Sequence, residues 1–307
     1  MFASLWIVST ISAAGAQALR NALQRGLTVS LGTLGATYVR FLFGLPFSIL
    51  FLALAIGATG AWPAPSFDFL LWAGLGGLGQ IAATACMLHA MRDRSFLVTI
   101  ALTKAEPVQV ALFGIAFLGE VPGPTVVAAI VAATVGVLVM SWPKPGARGG
   151  LVEGEGEGDR GAMIRAAGLG IAAGGFFGIA AVLFKKAILA SGTTHFLVGA
   201  STALAGSLAI QTVVLTAWLV ATDRRVLGEI VRQWKPSVGA GFLGAFASQC
   251  WFVGFATAPV AAVRTLGLVE IFFAQVLSRS LMKERPSKRE IVGIGLLVLG
   301  VVLVLRA

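Results

Sequence analysis

The sequence predicts an all-α polytopic membrane protein, with ten transmembrane helices forming two inverted five-helix repeats around a central cavity. Three observations carry that prediction. The 307 residues are 57% hydrophobic and only 12% charged, with a mean hydropathy of +0.91. That is too little charge to solvate the exterior of a soluble protein of this size. Charged or Pro/Gly breaks cut the chain into ten apolar stretches of about 20 residues, the length that crosses a bilayer core of roughly 30 Å. Finally, the chain repeats itself. Glu106, Glu120, Pro122 and Gly136 recur 164 residues later as Glu270, Glu284, Pro286 and Gly300.

The segments run approximately over 3–23, 32–57, 68–90, 95–118, 123–142, 166–190, 196–221, 237–257, 260–281 and 290–306. The first is read as a retained span. Ala16-Gln17-Ala18 resembles a cleavage triplet, but no basic stretch precedes it, and removing it would leave the first helix of the second repeat without a counterpart. In the third, Gly74 to Gly79 carries glycines that suit close helix packing; no strand precedes them, so they do not form a nucleotide loop. The fifth span ends at a polar stretch whose acidic run, Glu153 to Asp159, cannot build a core and reads as a flexible tether. The division is therefore a first repeat over 1–142, a linker over 143–165 and a second repeat over 166–307. In the sixth span Gly170, Gly174 and Gly178 share one face and allow another backbone to approach.

Five helices per half is an odd number, so the second copy enters the membrane in the opposite direction. The charges agree with this. Loops 1–2, 3–4, 5–6, 7–8 and 9–10 hold most of the cations, including Arg92, Arg94, Arg224, Arg225, Lys283, Arg285, Lys288 and Arg289, whereas the other side carries Lys185, Lys186 and Arg306. The positive-inside rule then puts the odd-numbered loops in the cytoplasm and both termini outside, in a cell (inner) membrane. The formal charge of +10 thus reflects topology and does not indicate nucleic-acid binding, which would need a basic folded face or arm. Cys86 and Cys250 lie in apolar segments and read as small buried side chains. No metal-ligand spacing occurs, and no metal or cofactor is expected.

A carboxylate at bilayer depth is costly and marks a pathway or a pairing site. Glu106 lies eleven residues after Ser95 and Glu270 eleven after Pro259, each roughly 16 Å deep at about 1.5 Å per residue. Pro107 cannot donate its backbone hydrogen bond, which predicts a local break beside Glu106. Lys104 and Arg264 share these spans and make the four charges formally neutral. They read either as internal ion pairs that fix helix register or as groups facing a substrate, with Glu106 or Glu270 a candidate carrier of a coupling proton. Gln109 follows Glu106 by three residues on nearly the same face, while Gln80 and Gln249 occupy matching places in spans 3 and 8. Gln17, Gln211 and Gln275 are further amides at depth, and helix-to-helix hydrogen bonding is the commoner role for such groups. Trp6 and Trp251 are placed to line a cavity; Trp62, Trp72, Trp142 and Trp234 sit near span ends as interfacial anchors. His89 reads as a structural histidine, and Arg40 as a side chain that snorkels to the cytoplasmic surface.

At these residues the chain resembles the EamA-type pattern of the drug/metabolite transporter superfamily. The first copy carries Glu106-Pro107, then Phe117-Leu118-Gly119-Glu120 and Gly136, with Tyr38-Val-Arg40-Phe-Leu in the second helix. The second copy, Glu270, Lys283-Glu284 and Gly300, lacks the proline and the Phe-Leu-Gly context. The resemblance covers nearly the whole chain and implies ten helices around a central cavity that move small metabolites, often outward. The expected function is a secondary transporter by alternating access. Neither an ATPase loop nor the motifs of an intramembrane enzyme are present, so no enzyme activity is expected. Balanced midplane charges and tryptophans lean towards amino-acid-like zwitterions as substrate. The alternatives are efflux of hydrophobic organic cations and a non-transporting membrane scaffold. Oligomeric state is not legible in the sequence.

Overall fold

The computed structural model describes residues 4–93, 103, 106–141, 160–282 and 288–307, and these are helical with short connections. In chain order the helices are α1 (Leu5–Leu42), α2 (Gly44–Thr59), α3 (Phe67–Asp93), α4 (Glu106–Leu118), α5 (Pro124–Ser141), α6 (Arg160–Leu189), α7 (Phe196–Thr222), α8 (Arg224–Arg232), α9 (Trp234–Thr257), α10 (Val260–Leu266), a 3-10 turn (Gly267–Val269), α11 (Glu270–Met282) and α12 (Lys288–Leu305).

The exterior is apolar. Val29, Leu189, Val213 and Val276 are all more than 60% exposed, while Arg20, Arg40, Glu106, Glu270 and several glutamines are buried. This inversion is what lipid as solvent demands, because hydrocarbon cannot satisfy polar groups and the protein interior can. Among the described residues, six helical stretches are long and apolar enough to cross a membrane, and Glu106–Leu118, Pro124–Val139 and Ile291–Leu305 are shorter apolar helices. The first of the six, Leu5–Thr59, holds 55 residues and would run about 80 Å if straight, far more than one bilayer core. Gly32 breaks it, with φ 65° and ψ 178° inside otherwise continuous helix. An L side chain would be strained there, so glycine is what lets the chain turn back.

Two boundaries differ from the sequence reading. The first helix does not end near residue 23 but runs on to Gly32, carrying Arg20, Asn21 and Gln24 within it. These side chains face protein, as where Gln24 Nε2 donates to the Ala36 carbonyl at 2.8 Å. The loop after span 7 contains α8, a short amphipathic helix whose Ile230 is buried and whose N-terminus is capped by Asp223, which accepts from the Arg225 amide at 3.2 Å. Lys104, the 142–159 stretch with most of the linker, and residues 283–287 with Glu284 and Pro286 lie outside the described residues.

The largest helix contacts are α3 with α6, α1 with α9, and α5 with α12; α4 with α6 and α2 with α7 follow. Backbones touch where glycines permit it. A Cβ on Gly136 would fall 2.7 Å from the Gly293 carbonyl oxygen, and one on Gly300 would fall 2.8 Å from the Ala129 carbonyl oxygen. The repeated glycines thus serve one seam, α5 against α12, from both sides. Gly174 and Gly178 face Thr103 and Val110 in the same manner, the close approach their spacing predicts.

Candidate functional site

Glu106 is the first described residue of α4, after residues 104 and 105, which lie outside the described residues, and Glu270 is the first residue of α11. Before Glu270 the chain tightens into the 3-10 turn Gly267–Val269, so α10 and α11 are not one regular helix.

Glu106 faces Arg264 across the halves of the chain. Arg264 Nε lies 3.0 Å from Glu106 Oε1, close enough for an ion pair though without hydrogen-bond alignment. The guanidinium carbon also sits 4.6 Å from the ring centre of Trp251 and 5.2 Å from that of Phe255, and these two rings are stacked. A desolvated cation over an indole gains about 2 kcal/mol. Arg264 is therefore held by a carboxylate on one side and two aromatic faces on the other.

Glu270 is bound from α1. Gln17 Nε2 donates to Oε2 at 2.6 Å and Asn21 Nδ2 donates to Oε1 at 2.9 Å. These amides are oriented in turn: Trp251 Nε1 donates to Gln17 Oε1 at 2.9 Å, and Arg20 donates to Asn21 Oδ1 through Nε at 3.2 Å and Nη2 at 2.5 Å. Trp251 thus joins the two carboxylate sites, stacking on the arginine of one and donating to the glutamine of the other. All of these groups are buried. One polar web therefore links α1, α4, α9, α10 and α11.

Of the residues the sequence singled out, Glu106, Arg264, Glu270 and Trp251 come together here. Gln80 and Gln249 do not. Gln80 Oε1 accepts from Gln211 Nε2 at 3.0 Å, and Gln249 Nε2 donates to Ser201 Oγ at 3.0 Å, both links between helices. Gln109 packs on α6, where a Cβ on Gly175 would meet its Oε1 at 2.8 Å. Lys104 lies outside the described residues, so Glu106 is assigned no lysine partner. The snorkelling of Arg40 is overturned: its side chain is 2% exposed and donates to Thr84 Oγ1 at 3.0 Å and Ser248 Oγ at 3.3 Å. Arg20 and Asn21 were missed as site residues. A signal existed, since Gln17, Asn21 and Gln24 recur at helical spacing with Arg20 beside them, a polar stripe on one face of an apolar helix.

The even-numbered connections meet in a second charged cluster. Helix α4 ends at Gly119, with φ 68°, and the next residue, Glu120, forms a short ion pair with Lys185 of α6. Glu120 Oε2 also accepts from the Val260 amide at 3.0 Å, and Lys185 Nζ donates to the Ala258 carbonyl at 2.9 Å. The pair therefore ties α4 and α6 to the hinge between α9 and α10. Beside it, Ala64 N donates to the Ser191 carbonyl at 3.0 Å.

Apolar exterior, buried charge web and helices of membrane-crossing length define a multi-pass membrane protein. Residues 164–306 match the model of the EamA-like transporter family. A solved crystal structure of a protein 17% identical to this chain aligns over 98% of it and 94% of the other chain, with a TM-score of 0.70, a likeness of fold. No curated protein matched the chain by sequence.

Proposed function

We propose that this protein is a secondary transporter of small metabolites, an exporter working by alternating access, built from ten spans as two inverted repeats divided at 1–142, 143–165 and 166–307. The observation that carries the reading is the exchange pattern of the helix contacts. Segment 3 of the first half packs on segment 1 of the second (α3 with α6), and segment 1 of the first on segment 3 of the second (α1 with α9). Second pairs with second and last with last. Swapping the halves leaves this pattern unchanged, as a pseudo-two-fold axis in the membrane plane requires. Each glutamate is engaged by a residue of the other half.

Alternating access needs two sets of contacts, one formed in each state. The Glu120–Lys185 cluster is of the right kind for one of them, since it closes the even-numbered connections around the α9–α10 hinge. In the topology read from the charges that face is extracellular. For substrate, a site holding both signs of charge beside indole and phenyl rings suits an amino-acid-like zwitterion with an apolar side chain. Efflux of organic cations fits less well, because both carboxylates already meet protein donors. Counterflow in proteoliposomes loaded with a pooled amino-acid mixture tests the reading. Accelerated uptake of labelled amino acid is expected. Flux equal to empty liposomes for amino acids and organic cations alike would overturn it.

A further inference from the structure

The buried charges do not balance. Among the described residues the interior holds Arg20, Arg40 and Arg264 against Glu106 and Glu270, an excess of one positive charge. Arg264 sits against Glu106, and Arg20 reaches Glu270 through Asn21. Arg40 is the remainder. Its partners are two hydroxyls, of Thr84 on α3 and Ser248 on α9. Among the described residues its Nε has no acceptor, and neither has Nη1 of Arg20; both atoms are buried. Hydroxyls can satisfy N–H donors but cannot neutralise a guanidinium in low dielectric. The two side chains also converge. A Cβ built on Gly244 of α9 would lie 3.0 Å from Arg40 Cγ, 3.4 Å from Arg20 Cδ and 3.7 Å from Arg40 Nε. Two like charges are thus brought over the same glycine, where they repel each other.

We propose that Arg40 and Arg20, over Gly244, form an anion subsite that takes the carboxylate of the transported molecule. A guanidinium presents its donors in a planar fork matched to a carboxylate, and two of them facing one anion replace both its water and its charge balance. Glycine at 244 leaves the room, and Thr84 and Ser248 hold the Arg40 fork in position. This assignment rests on the transporter reading and makes it specific: the substrate carries a carboxylate, and a compound without one is not held. Both unpartnered atoms are closed to solvent here, so the anion arrives while one face of the protein is open.

The test uses the full chain purified into nanodiscs, with binding read as the rise in thermal midpoint and as a dissociation constant. The probes are matched sets sharing a side chain: leucine, phenylalanine and tryptophan, their decarboxylated amines and their deaminated acids, with sodium chloride as the inorganic anion. At least one amino acid or acid is expected to raise the midpoint while its amine does not. Arg40→Gln should weaken that ligand at least tenfold. Gly244→Ala keeps both charges but crowds them, and should weaken it while the protein still folds, so a misfolded Arg40→Gln leaves the question decidable. Equal stabilisation by an amine, undiminished carboxylate binding in Gly244→Ala and Arg40→Gln, stabilisation by chloride alone, or no response to any carboxylate would each overturn the subsite. Carrier-mediated flux of an amine through the same protein would overturn the subsite while leaving the transporter reading standing; absence of any flux would instead remove the latter.

Discussion

Removing the carboxylate of Glu106 should leave Arg264 as a buried cation facing two aromatic rings. Breaking a buried ion pair from one side costs about 3 to 5 kcal/mol, since the surviving charge keeps its desolvation penalty and loses its partner. The structure orders the two single variants within that range. In Glu106→Gln the guanidinium keeps the faces of Trp251 and Phe255 at 4.6 and 5.2 Å, so the loss falls near the lower end. In Arg264→Met the glutamate loses its arginine, and the cation–π contact, worth about 2 kcal/mol, is lost as well. The loss falls near the upper end. Glu106→Gln with Arg264→Met removes both charges and lays a thioether on Trp251, a contact worth about 0.3 to 1.5 kcal/mol. The double variant should therefore be more stable than either single one, with a coupling of at least 2 kcal/mol. Thermal unfolding in nanodiscs measures all four proteins under one condition. A double variant no more stable than Arg264→Met would refute the pairing. Flux then separates two roles: stability restored together with transport marks a structural pair, and stability restored without transport marks a binding one.

Glu270→Gln should cost about 1 to 3 kcal/mol, because one amide NH2 would replace an acceptor of the Gln17 or Asn21 donors, and neither can flip without losing Trp251 or Arg20. If Glu270 carries a coupling proton, the same variant keeps exchange in liposomes and loses concentrative uptake under a pH gradient; retained uphill uptake would remove it from that role. Glu120→Gln should loosen the α9–α10 hinge, so that a cysteine at buried Val260, in a chain without Cys86 and Cys250, becomes reactive to an impermeant maleimide that does not label it with Glu120 intact. Equal labelling in both proteins would refute the latch. Gly136→Ala and Gly300→Ala should each lower stability by about 1 to 3 kcal/mol, measured by unfolding midpoint, because each new methyl falls under 3 Å from the facing helix. Cysteines placed in 143–165 should be labelled from the cytoplasmic side; labelling by impermeant reagent in intact cells would invert the topology.

Much of the scaffold is legible because it depends on local composition. An apolar run of bilayer length has to form helix when no water satisfies its backbone, and the doubling of Glu, Pro and Gly exposes the repeat without any contact being known. Even the α5–α12 seam is foreshadowed by Gly136 and Gly300. The site is less legible. Glu106, Glu270, Arg264 and Trp251 stand out as costly or bulky groups at depth, yet nothing in a linear pattern says that Arg264 meets Glu106 and not the nearer Glu270. Helix crossing brings Arg264 to a glutamate 158 positions earlier in the chain.

Arg20 and Arg40 mark the boundary between the two kinds of information. The sequence by itself indicated an all-helical membrane protein in which a Glu, Pro and Gly pattern recurs, since hydrophobicity, helical period and repeat spacing are legible along the chain. It did not determine where the first helix ends. The cluster Arg20, Asn21 and Gln24 is equally at home at a membrane surface or in a polar interior, because either environment solvates it. Only the tertiary structure decides between them. It delays the turn to Gly32, the residue that can adopt φ 65°, and so places Arg20 beside Asn21 and Glu270, and Arg40 between Thr84 and Ser248. Asn21 and Glu270, which link Arg20 into this web, lie 249 residues apart in the chain; such contacts are set by which helix faces pack, and that is a property of the assembled bundle.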